Sequence, residues 1–138
     1  MKEDAKTKRG RKNRVSKYAA IAMKQLGYDY PCFVSLNMRT GETVISGNMR
    51  NSWLADHICS VPTLSDAIEW FIEKGFIIYT DANASGFYWS ISKIGTGSFV
   101  ADLNGEGPNE GGCFDTYADS MSDGIDNLIQ LIIKQKSI

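Results

Sequence analysis

This chain predicts an α+β fold whose strands pair as antiparallel hairpins and whose helices pack on one sheet face. Three observations lead there. Two helix-start signals, Thr63-Leu64-Ser65-Asp66 and Thr116-Tyr117-Ala118-Asp119, each open a stretch of apolar residues three and four apart. Short runs rich in β-branched and aromatic residues lie between these stretches, separated by Gly-containing turns. At 138 residues with 43% hydrophobic content, the chain has the size and composition of one domain with a single core.

The first fourteen residues hold nothing apolar after Met1 except Ala5. They cannot bury enough surface to offset the entropy of ordering, so residues 1–14 are expected to be a flexible arm and 15–138 a single α+β domain. Val15, Tyr18, Ala19, Ala22 and Leu26 recur at helical spacing, and Gly27 is placed to end that helix. Tyr28 to Pro31 reads as a linker. Cys32–Asn37 and Glu42–Ser46 form a predicted hairpin around Met38-Arg39-Thr40-Gly41. Residues 47–60 mix polar side chains with Trp53, Leu54 and Ile58 and carry no clear period.

From Thr63 the pattern is sharper. Leu64, Ala67, Ile68, Phe71 and Ile72 make an apolar stripe, and Gly75 stops the helix. Phe76–Thr80 and Phe87–Ile94 read as strands joined by a turn over Asp81–Gly86. On the second of these strands Phe87, Trp89 and Ile91 point to one face, and Tyr88, Ser90 and Ser92 to the other. Ser98–Leu103 is a third strand, and residues 104–112, with four glycines and Pro108, are a loop. The closing helix carries a seam of Ala118, Met121, Ile125, Leu128 and Ile132. Burying its four large side chains stabilises the fold by roughly 6–10 kcal/mol before entropy is subtracted. Gly124 borders that seam, which predicts close contact between helix and sheet. Residues 63–136 thus read as an αβββα unit preceded by a helix and a hairpin.

Several core patterns resemble those of a group of small uncharacterised proteins from phages and mobile elements of Bacteroides-type bacteria. The likeness lies in Val61-Pro62-Thr63-Leu64-Ser65-Asp66-Ala67-Ile68-Glu69-Trp70-Phe71-Ile72-Glu73-Lys74-Gly75 and the aromatic run Phe87-Tyr88-Trp89-Ser90-Ile91. It extends to the closing Phe114-Asp115-Thr116-Tyr117-Ala118 with Asn127-Leu128-Ile129-Gln130-Leu131-Ile132, and to the leading helix from Ser16 to Tyr28. The resemblance implies a fold family and a viral or mobile-element origin, and transfers no catalytic residue. The basic arm departs from the shorter, less basic starts of that group.

Charge is distributed very unevenly. Residues 2–17 carry eight bases against two acids, or +6, whereas residues 18–138 carry seven bases against fourteen acids, or −7. The overall charge of −1 conceals this division. Lys6, Lys8, Arg9, Arg11, Lys12, Arg14 and Lys17 are therefore the candidate anion-binding residues, suited to following phosphates with release of counterions. The expected partner is a nucleic acid or an acidic protein surface, and a second copy of the chain is a further candidate.

The remaining chemistry-bearing residues point to no catalyst. Cys32, Cys59 and Cys113 are odd in number and irregularly spaced, and read as buried thiols in a reducing compartment. His57 is the sole histidine, and only His57-Ile58-Cys59 has anything like the close pairing of zinc ligands. Asp102–Glu110 and Asp81–Gly86 mimic the start of a calcium loop, but their twelfth positions are Cys113 and Ser92, not an acid. Gly95-Thr96-Gly97-Ser98 lacks the lysine and following helix of a phosphate loop.

No catalytic residue, metal or cofactor is expected. With no long apolar run and no apolar leader, the expectation is a cytosolic protein that avoids membranes and is compatible with association to a virion. Two functions follow. The first is a non-enzymatic accessory protein using its arm on nucleic acid or a nucleoprotein. The second is an anti-defence protein sequestering a nucleotide signal, with Trp53 and Tyr88 as the aromatic faces of a pocket.

Overall fold

Local capping sets where the three helices among the described residues begin. In the computed structural model the described residues are 13–95, 98–102 and 107–136, with backbone alone described for 98–102 and 136. Helix α1 (Lys17–Gln25) starts at Ser16, whose hydroxyl accepts the Ala19 N–H at 3.0 Å. Helix α2 (Leu64–Glu73) starts at Thr63, whose hydroxyl accepts the Asp66 N–H at 3.1 Å. Helix α3 (Tyr117–Lys136) repeats the device, with Thr116 accepting the Asp119 N–H at 3.1 Å. Gly27 and Gly75, with φ of 101° and 97°, take the left-handed conformation that turns the chain out of α1 and α2.

Among the described residues the strands form two antiparallel three-stranded sheets. Strands β1 (Cys32–Asn37), β2 (Thr43–Met49) and β3 (Ile58–Ser60) stand in the order β2-β1-β3. Strands β4 (Phe76–Asn83), β5 (Gly86–Lys93) and β6 (Ser98–Asp102) stand in the order β4-β5-β6. The fold is α+β, and α2-β4-β5-β6-α3 is the expected αβββα unit.

Some expectations are corrected. The turn expected over Asp81–Gly86 is shorter: β4 stays extended to Asn83 and reverses over Ala84-Ser85, with Asn83 Oδ1 accepting the Ser85 N–H at 2.8 Å. Its turn-forming residues cap a tight hairpin instead of lengthening it. Gly86, at φ 129°, has no room for a side chain, since a Cβ there would come 2.2 Å from the Phe114 carbonyl oxygen. That closeness arises because Phe87 and Phe114 exchange two backbone hydrogen bonds of 2.8 Å.

Residues 47–60 contain β3 and a 3₁₀ turn at Asn51–Trp53. Buried Asn51 fastens this segment, donating to Tyr28 O at 2.7 Å and accepting from Ser60 N at 2.8 Å.

Burial refines the apolar stripes. On α3, Met121, Ile125 and Leu128 are buried as expected, but Ile129 joins them while Ala118 and Ile132 only pack at the margin. Trp70 is buried on α2, whereas Ile72 of α2 and Tyr18 of α1, both read as members of apolar stripes, are exposed. Val15, expected within α1, stays extended and donates to Pro62 O at 3.0 Å.

Helix α3 covers Ile78, Trp89 and Ile91 of the second sheet at very close range. A Cβ on Gly124 would lie 3.0 Å from Trp89 Cγ, as the position of that glycine predicts. Trp89 is buried yet satisfied, its Nε1 donating to Asp123 Oδ2 at 2.9 Å. Ser16 ties α1 to α3 by donating to Asp126 Oδ1 at 2.7 Å. Burial raises the Asp126 carboxyl above its usual range, the Ser16 bond opposes that shift, and nearby Asp123 adds to it.

Candidate nucleic-acid interface and its neighbouring clefts

The point where the basic segment joins the folded body is fastened from both backbone and side chain. Asn13 O accepts the Leu64 N–H at 2.8 Å, satisfying one of the orphan donors at the start of α2. Arg14 forms an antiparallel bridge with Thr63, and its Nη1 donates to Val61 O at 2.8 Å. The domain boundary expected after residue 14 therefore falls inside a fastened segment. Arg14 is half-buried, with part of its donor set spent on the body. Lys6, Lys8, Arg9, Arg11 and Lys12 lie outside the described residues.

Lys17, the first residue of α1, is exposed. It shares with Arg14 the rim of an open cleft of about 470 Å³ between α1 and the β1–β2 hairpin. Val15, Val34 and Val61 line its apolar part, and Glu42 is the only acid among its described lining residues. Lys17 Nζ lies 3.8 Å from where a Gly41 Cβ would be, so this cation stands beside the turn that carries exposed Arg39. The rim can attract an anion, and the apolar walls lower the local dielectric around it.

The two aromatic candidates are not brought together. Trp53 is 61% exposed on its 3₁₀ turn beside the first sheet, with the Arg50 guanidinium 5.7 Å above its ring. Tyr88 is half-buried on β5 in the second sheet, opposite Asp81 of β4 and on the face away from Trp89. Neither lines the cleft above or the two described below.

A second cleft, about 310 Å³, runs along α2 and is lined by Tyr28, Tyr30, Pro31, Asp66, Glu69, Trp70 and Glu73. Its described lining residues include three carboxylates and no base. Tyr28 meets Tyr30 and Trp70 edge-on at 5.6 and 5.5 Å, and Tyr30 donates its hydroxyl proton to Glu73 Oε2 at 2.7 Å. That bond holds the Tyr30 hydroxyl protonated to higher pH than usual. Sequence reasoning noted Asp66 only as a capping residue and passed over Glu69 and Glu73. Their spacing of three and seven residues from Asp66 was the available signal, since it places all three on one helix face. A third cleft of about 320 Å³ lies between Leu26, Trp70, Lys74, Phe76 and Ile132, with Lys74 Nζ 5.2 Å from the Trp70 ring.

Among the described residues no group of three His, Cys, Asp or Glu is arranged to hold a metal. Cys32, Cys59 and Cys113 are buried free thiols, and burial pushes the Cys59 thiol up to about 11. A thiol so protonated is a poor nucleophile. His57 is half-buried in the segment before β3. Asp81, read as the start of a cation loop, sits on β4 with Oδ1 accepting the Ala82 N–H at 2.8 Å. No helix among the described residues is long and apolar enough to cross a membrane.

Comparison with protein-family models, curated proteins and solved structures finds no match to this chain.

Proposed function

We propose that this protein is a non-enzymatic binding protein whose cationic leader, residues 2–17, contacts nucleic acid, while its acidic body supplies shape and the protein-facing surfaces. One observation carries the reading: a segment of +6 adjoins a body of −7. A polyanion is drawn to the first and repelled by the second, so contact is confined to one end of the molecule. Arg14 and Lys17, at the rim of the 470 Å³ cleft, extend this cationic end onto the folded surface. The resemblance to phage and mobile-element proteins supports an accessory role in such an element.

Each phosphate neutralised releases counterions, so affinity falls steeply as salt rises. The test is a filter-binding titration of the full chain and of a variant lacking residues 2–12, against the same duplex and single-stranded DNA and RNA. That deletion spares Asn13 and Arg14, which belong to the fastened segment. The expected outcome is a loss of at least tenfold in affinity at low salt and a flatter salt dependence. Equal affinity of the two proteins would remove the leader from the function.

A further inference from the structure

The acidic cleft along α2 stands where the basic leader joins the body, and we propose that it binds residues 6–12 of this same chain. Three observations support this occupant. First, the cleft offers Asp66, Glu69 and Glu73 with no base among its described lining residues. Second, residues 6–12 supply Lys6, Lys8, Arg9, Arg11 and Lys12 with no acid among them. Third, Asn13 is fixed to Leu64 at the head of α2, and the Arg14–Thr63 bridge is antiparallel. Followed backwards from Arg14, the chain therefore reaches Asn13 at the first turn of α2.

Reach is sufficient. Seven extended residues span about 23 Å, whereas the stretch from Leu64 to Glu73 covers about 14 Å. Tyr28, Tyr30 and Trp70 form the aromatic part of the lining, over which lysine and arginine stems can lie while their charged heads reach the carboxylates. Joining the partners in one chain makes the contact intramolecular, so individually weak pairs act at high effective concentration.

The carboxylates thus stand in for phosphates, and a polyanion must displace them to reach the leader. This competition rests on the function proposed above; the docking itself does not. With the leader docked about 90% of the time, apparent affinity for a polyanion falls about tenfold.

Two measurements on the full chain test the two parts separately. The first is carbodiimide cross-linking at low ionic strength and low protein concentration, which joins a lysine amine to a carboxylate without a spacer. Mass spectrometry should find bonds from Lys6, Lys8 or Lys12 to Asp66, Glu69 or Glu73 within monomers. The Asp66→Asn/Glu69→Gln variant, altered at exposed positions, and high salt should each suppress them. Leader bonds to carboxylates elsewhere, or bonds found only in cross-linked dimers, would overturn docking in cis.

The second measurement is nucleic-acid affinity, which the same variant should raise three- to tenfold at low salt. Unchanged affinity, with the cross-links present in the parent, would overturn the competition. Cross-links in a protein whose full chain fails to bind nucleic acid would sink the proposed function and leave the docking standing.

Discussion

Replacing Gly124 by alanine sets two well-characterised effects against each other in the middle of α3. Alanine is worth about 1 kcal/mol over glycine in a helix interior. Here, however, the added methyl would lie 3.0 Å from Trp89 Cγ and 3.2 Å from both Trp89 Cβ and Ile78 Cγ2. Neither neighbour is free to retreat. Trp89 is 2% exposed and anchored through its indole N–H to Asp123, and Ile78 is 3% exposed. Overpacking of this kind costs about 1–3 kcal/mol. The expected balance is a net loss of about 1 kcal/mol, lowering Tm by about 2–5 °C in a protein of this size. Urea unfolding followed by tryptophan fluorescence and far-ultraviolet circular dichroism measures it, with an unchanged m-value confirming that the unfolded state is comparable. A Gly124→Ala protein more stable than the parent would show that helix entropy outweighs the helix–sheet contact and would refute the reasoning.

Further outcomes follow from polar groups held at part-buried sites. Ser16→Ala removes the α1 cap and the hydrogen bond to Asp126 together, and should cost about 1–3 kcal/mol in chemical denaturation; a loss under 0.3 kcal/mol would contradict the geometry. Because folding raises the Asp126 carboxyl, the native state binds its proton more tightly, so this group's contribution is greatest below its unfolded value and is lost as pH rises through its folded one. Asp126→Asn, which retains an acceptor for Ser16, should therefore gain stability relative to the parent as pH rises from 4 to 7; parallel pH profiles would exclude this. The buried thiols of Cys32 and Cys59, both raised by burial, should resist iodoacetamide at pH 8 in the native protein and react on unfolding. Alkylation at the free-thiol rate without unfolding would show that the core opens locally.

What could be read from the sequence was what depends on near neighbours. The caps at Thr63 and Thr116 are satisfied by amides three residues on, and Gly27 and Gly75 act within a single turn, so the ends of α1 and α2 and the start of α3 were visible. Strand β3 was not, because three residues have no period and Ile58–Ser60 is a strand only through pairing with Asn37–Ser35 of β1. The length of the β4–β5 hairpin was misread for a similar reason. Asp81 and Asn83 are turn formers in isolation, but continuous pairing with β5 keeps them extended.

The clefts lie furthest from local inspection. The acidic one joins the Tyr28–Pro31 linker to a helix face more than thirty residues later, and no local pattern in the linker specifies that meeting. The cationic candidates were legible as charge but not as position. Arg14 looked like part of a loose arm and is instead hydrogen-bonded to the Val61 carbonyl.

The bond between Ser16 and Asp126 crosses 110 positions of sequence. During translation, which runs at about 5–20 residues per second, α1 must wait for α3 before the bond that ties the two helices can form. Until then Ala19, Ala20 and Met23 lack part of their eventual cover, and the nascent chain presents an unfinished apolar face to whatever chaperones attend the ribosome. A premature stop within α3 would accordingly strip support from α1.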